Sequence, residues 1–129
     1  MELITKELKE AFKKQTLYST EDTPILDKEI IVKYFNPYGV GTWLIVEGEE
    51  QEDGDYLLFG LCNLTEWELG YITLKQLEEI RDNKQLMSVE RDLYTKLTTL
   101  GDYLKENDIE AYNYYKSWND NEDEPKEDK

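Results

Sequence analysis

TWLIVEGEEQEDGDYLLFGLC, residues 42–62, holds two strands and the turn between them. Thr42, Trp43, Leu44, Ile45, Val46 and Glu47 make a β-branched and aromatic run of strand length. Asp53-Gly54 is a hairpin signal, because glycine accepts the positive φ that a tight turn needs. Residues 55–62 return as a second apolar run. A connection this short joins antiparallel neighbours, since a parallel pair needs a crossover of about a dozen residues or more.

Upstream, residues 28–35 alternate, with Ile30, Val32 and Tyr34 on one face and Ile31, Lys33 and Phe35 on the other. Asn36-Pro37-Tyr38-Gly39 turns that strand into the next, proline presetting φ and glycine relaxing it. Downstream, residues 68–72 supply a short fourth strand. The expected fold is α+β: an antiparallel four-stranded meander with helices packed on it. A first helix follows Thr5 as its cap, with Ile4, Leu8, Ala11 and Phe12 on one face. Thr73-Leu74-Lys75-Gln76 is a capping box, opening a helix to about Asp82 that turns Leu74, Leu77 and Ile80 to the sheet. Residues 89–94 read as extended, and residues 100–106 and 109–118 as helices, the second with Ile109, Tyr112 and Tyr115 at helical spacing. Residues 1–118 form a single domain. Residues 119–129 hold six acids and nothing apolar, so a disordered acidic tail is expected.

The chain has 129 residues, of which 39% are hydrophobic, enough for one core and too few residues for two comfortable domains. The longest apolar stretch, residues 56–62, is strand-sized, far short of a membrane span. Residues 1–7 lack the basic-then-apolar plan of a secretory signal, and Cys62 is the only cysteine, so the expected setting is the cytoplasm. Thirty acids against fifteen bases give a net charge of −15. Such a field repels nucleic acid and anionic membrane and attracts basic surfaces.

Several chemistries are disfavoured. No histidine exists, which removes the usual general base, zinc ligand and triad member. Cys62, inside an apolar strand pattern, reads as a core residue and not a nucleophile. Gly39-Val40-Gly41 is too short for a phosphate loop. The expected protein is therefore no enzyme and holds no metal or cofactor.

Glu47-Gly48-Glu49-Glu50-Gln51-Glu52-Asp53-Gly54-Asp55 packs six carboxylates into nine residues without a base. A calcium loop counted from Glu49 places Gly54 correctly but closes on Gly60, where a bidentate glutamate is required. A catalytic carboxylate pair needs two differing environments, which one hairpin tip does not offer. Two readings remain: a solvated loop, and a surface for a basic partner formed by Glu47, Glu49, Glu50, Glu52, Asp53 and Asp55. Carboxylates one or two residues apart on extended chain lie roughly 3.3–7 Å apart. Phosphates recur about every 3.4 Å along a DNA strand, so such a rim has the spacing to occupy a phosphate-binding groove. Two further strings stand out. Glu90, Arg91 and Asp92 have the types for an ion-paired node. Tyr112, Tyr114, Tyr115 and Trp118 read as the packing face of a helix and its edge.

These strings also carry a family likeness. Leu3-Ile4-Thr5-Lys6-Glu7, Leu17-Tyr18-Ser19, Val32-Lys33-Tyr34-Phe35-Asn36-Pro37, Thr42-Trp43, Phe59-Gly60, Glu68-Leu69-Gly70-Tyr71 with Leu74 to Arg81, and Glu90-Arg91-Asp92-Leu93-Tyr94 follow in order over residues 3–97. In them the chain resembles a family of bacterial plasmid and phage proteins known as domain of unknown function 2958. Residues 82–89 depart from it, lacking the Gly/Pro-rich turn usual there, and residues from Leu100 onward lie outside the likeness. The resemblance implies no catalytic residues. It implies a setting, mobile genetic elements, whose small accessory proteins often neutralise host defences or regulate the element. The expected function is an inhibitor that binds the basic surface of a host nucleic-acid enzyme, such as a CRISPR or restriction nuclease, without contacting nucleic acid or membrane. The alternative is a plasmid-maintenance or regulatory protein, and after it a small carboxylate- and metal-dependent enzyme. The sequence leaves the oligomeric state open.

Overall fold

The computed structural model describes residues 1–83 and 87–123, with side chains given as far as Trp118. Its elements run α1 (Lys6–Lys14), a 3-10 turn (Ile25–Asp27), β1 (Val32–Phe35), β2 (Thr42–Glu50), β3 (Tyr56–Asn63), β4 (Trp67–Thr73), α2 (Leu74–Asn83), β5 (Glu90–Arg91), α3 (Leu100–Asn107) and α4 (Ile109–Asp123). The class is α+β and the sheet is antiparallel. It has five strands and not four, in the order β4-β3-β2-β1-β5. The fifth is the extended string at residues 89–94, of which Glu90 and Arg91 pair with Phe35 and Tyr34. Two paired residues are too few to show a period, so sequence alone could not assign them a neighbour.

Helices cover both faces. On one, Phe12 of α1 and Leu74 and Leu77 of α2 bury Val32, Tyr34, Trp43, Ile45 and Leu58. On the other, Leu26, Leu100 and Leu104 and Tyr115 of α4 bury Leu44, Val46 and Leu61. β2 lies mid-sheet and is buried on both sides, which is why residues 43–46 are continuously apolar rather than alternating. Each such side chain contributes roughly 1.5–3 kcal/mol by leaving water.

The strand expected at residues 28–35 is split. Ile30 N–H donates to the Thr98 carbonyl (2.8 Å) and Leu100 N–H to the Lys28 carbonyl (2.9 Å), so the first half pairs with the approach to α3. That break in the ladder turns Ile30 into the α3 side of the core, away from Val32 and Tyr34. The local caps are as expected. Leu8 N–H donates to Thr5 Oγ1 at 3.2 Å, and Thr73 and Gln76 exchange side-chain-to-backbone bonds at 2.9 and 3.1 Å. In α4 the buried position is Tyr115, while Ile109 is exposed. The helix continues to Asp123, into the segment expected as tail; residues 124–129 of that tail lie outside the described residues.

Candidate functional site

A β-bulge decides where the acidic hairpin points. Ile45 faces Gly60 and Glu47 faces Phe59, so Val46 is an extra residue in β2. The close approach needs Gly60, where a Cβ would stand 2.0 Å from the Leu44 carbonyl oxygen. The carbonyl of Val46 accepts from Gln15 Nε2 at 2.5 Å. Beyond the bulge the alternation is inverted. Gly48 lies against Phe12 on the α1 face, and Glu47 enters the opposite face beside Phe59.

Glu47 is thereby only 3% exposed, which removes it from the expected contact surface. Its carboxylate accepts from Tyr18 N–H (2.7 Å), Thr20 N–H (3.0 Å) and the Thr20 hydroxyl. Buried Lys28 donates from Nζ to the Thr20 carbonyl and, at 3.0 Å, to Thr20 Oγ1. This chain of polar groups fastens residues 16–28 over the sheet and holds Tyr18 at a φ of +69°. Sequence gave no sign of it, because the partners are backbone N–H groups about thirty residues away.

Asp55 is also engaged. Its Oδ1 accepts from Lys75 N–H (3.0 Å) at the start of α2 and from its neighbour Tyr56 (2.8 Å). Glu49, Glu50, Glu52 and Asp53 remain exposed at the tip. Asp53 Oδ1 accepts from Asp55 N–H (3.0 Å), and Gly54 closes the turn at φ +89°. None of the four is ion-paired among the described residues. Bases missing from the hairpin itself stand nearby, since Lys9 and Lys13 of α1 share a shallow depression of about 200 Å³ with Glu49 and Glu50.

The second concave feature is a cleft of about 840 Å³ between α4 and β4 with the turn before it. Trp67 Nε1 donates to Asp108 Oδ2 (3.0 Å), and Asp108 Oδ1 accepts from Ala111 N–H (3.2 Å) in the first turn of α4. The Tyr115 hydroxyl, raised in pKa chiefly by burial, donates to the Trp67 carbonyl at 2.7 Å. These three bonds fix the cleft's walls. Glu66, Glu68 and Glu110 line it, along with Tyr114 and Trp118, which are 57% and 42% exposed with ring centroids 5.7 Å apart. Of the aromatic residues expected as the packing face of α4 and its edge, Tyr115 is buried and Tyr112 packs half-buried against the same core, while Tyr114 and Trp118 are exposed. At Leu69 and Trp118 the cleft continues into a cavity of about 380 Å³ that reaches Glu47 and Lys28.

The string at residues 90–92 does not form a node within itself. Successive residues of an extended strand point to opposite faces, so Arg91 Nε donates to the Glu2 carbonyl (3.2 Å) while Asp92 pairs with Lys33 (3.1 Å). Burial opposes ionisation of Asp92. The hydroxyl and N–H of Thr95, the N–H of Tyr94 and Lys33 outweigh it, and they hold the carboxyl well below the usual carboxylate range. Burial pushes the Cys62 thiol up to about 11, the opposite of an activated nucleophile. Among the described residues no group of three or more His, Cys, Asp or Glu is placed to hold a metal ion, and no helix is long and apolar enough to cross a membrane.

No curated protein and no solved structure matches the chain. A family model does, and its match runs past the residue 97 at which the recognised motifs end, taking in α3 and the first residues of α4. With residues 3–111 matched, the chain belongs to the family described as "Protein of unknown function (DUF2958)".

Proposed function

We propose that this protein acts by binding and not by catalysis, as a mobile-element inhibitor that occupies the basic, nucleic-acid-binding surface of a host enzyme such as a restriction or CRISPR nuclease. The observation that carries this reading is the hairpin tip, where Glu49, Glu50, Glu52 and Asp53 stand exposed without an ion-paired base among the described residues. Two anchors keep it from being a loose loop: the buried Glu47 at its base and the Asp55 bond to α2 at its return. A rigid row of carboxylates loses little entropy on docking and meets a phosphate-binding groove with complementary potential. The net charge of −15 adds long-range steering. The setting comes from the family resemblance.

The test is a cleavage assay with a panel of restriction and CRISPR nucleases on their own nucleic-acid substrates. Inhibition of at least one is expected, competitive with nucleic acid, and weakening steeply between low and moderate salt. Lysine at positions 49, 50, 52 and 53 together should abolish it. If the whole panel cleaves at full rate, or if the lysine variant inhibits undiminished, this function is wrong.

A further inference from the structure

We propose that the cleft between β4 and α4 is a second binding site, which takes an extended, arginine- or lysine-bearing segment of a partner protein paired to the edge of β4. Three independent features meet there. β4 is an edge strand seven residues long, paired among the described residues with β3 alone, and its register runs from Thr73 to Trp67 without a bulge. Natural edges are normally blunted by lysine, proline or a bulge. Trp67–Thr73 contains no lysine or proline, and Glu68 is its one charge.

The cleft beside this edge is concave and sized for side chains, at about 840 Å³. Its chemistry selects cations. Glu66, Glu68 and Glu110 line it from the strand side and the helix side, and Tyr114 and Trp118 offer exposed ring faces. Asp108 and Tyr115 are already bonded to Trp67, so they shape the site without serving the ligand. A guanidinium fits both surfaces at once, bidentate to carboxylate and stacked on an aromatic ring. In an added strand, alternate side chains fall on one face about 7 Å apart, so every second residue would reach the cleft while main-chain bonds hold the segment. Phosphate-bearing ligands are repelled by the same carboxylates. A second copy is disfavoured too, because pairing β4 with β4 would bring two chains of charge −15 into contact. Glu66, Glu68 and Glu110 lie within the residues 3–111 matched by the family, and Tyr114 and Trp118 lie beyond them.

The probe is a nine-residue peptide alternating arginine with valine, titrated at physiological salt and followed by calorimetry and tryptophan emission. Trp67 and Trp118 line the cleft, whereas Trp43 lies in the other half of the core. Saturable binding with a change in emission is expected. The same peptide N-methylated at alternate residues keeps its charge, loses strand pairing and should bind at least tenfold more weakly. Glu66→Gln with Glu110→Gln, which disturbs no packing, should weaken binding at least tenfold, and Trp118→Ala should do the same with an unchanged circular dichroism spectrum. Glu49→Lys, Glu50→Lys, Glu52→Lys and Asp53→Lys together should leave affinity within about twofold, which separates this site from the hairpin. No binding, equal affinity for the methylated peptide, or loss only in the hairpin variant would overturn the proposal. So would concentration-dependent dimerisation that Gly70→Pro abolishes, since the occupant would then be a second copy.

Discussion

Residues 47–55 and residues 90–94 are both runs of charge in the sequence, yet the fold spends them differently. In the second run Asp92 is drawn inward, its carboxylate taken by Lys33, Thr95 and Tyr94, and Arg91 by the carbonyl of Glu2. In the first run four carboxylates reach solvent, and of these only Asp53 meets a backbone donor, the N–H of Asp55, while Glu47 at its base is buried among donors as Asp92 is. What separates the two kinds of acid is the supply of N–H groups. A carboxylate met by two or three N–H or O–H donors can be buried, because its lone pairs are satisfied there. One without donors must stay in water, where it is available to a partner.

Glu47 offers the strongest way to break this contrast. Glu47→Ala leaves Tyr18 N–H, Thr20 N–H and the Thr20 hydroxyl without an acceptor beside buried Lys28. A loss of about 3 kcal/mol is expected, lowering Tm by roughly 10 °C in a thermal melt. If the melt is unchanged, Glu47 does not organise residues 16–28.

Asp92 comes next, with a pH signature. Its carboxyl ionises more readily folded than unfolded, so its contribution is fully present above the ordinary carboxylate range and is lost as pH falls below it. Asp92→Asn should cost about 2 kcal/mol at neutral pH. The gap between wild type and variant should narrow steadily as pH falls below about 4.5 and still be open at about pH 2, read from urea unfolding at each pH. A gap independent of pH would show that the carboxylate's charge plays no part.

The smallest effect belongs to the tip. Neutralising Glu49, Glu50 and Glu52 to glutamine and Asp53 to asparagine should alter stability by less than about 0.5 kcal/mol per site, because these exposed acids have no ion-paired partner among the described residues and an asparagine amide oxygen can still accept the Asp55 N–H. Inhibition of the host enzyme should nonetheless fall, mainly through a slower on-rate. A large loss of stability would move the tip into the same class as Asp92.

Residues 42–62 determined the central hairpin by themselves, since strand-length apolar runs around Asp53-Gly54 leave a two-strand unit few alternatives. Thr5 and the Thr73/Gln76 box likewise marked their helix starts, because caps act over three or four residues. Charge, class and family were equally legible. Only the tertiary structure decided that Val46 is a bulge, which puts Glu47 on the face of Phe59, and that Glu47 is buried while Glu49 stays exposed. It alone paired Glu90 and Arg91 with β1, and residues 98–100 with residues 28–30. It alone brought Trp67 to Asp108 and so made a cleft from residues some forty apart. The division follows from range. Propensity, periodicity and capping are set by neighbours along the chain, whereas burial of a given carboxylate depends on which distant backbone donors the packed sheet delivers to it.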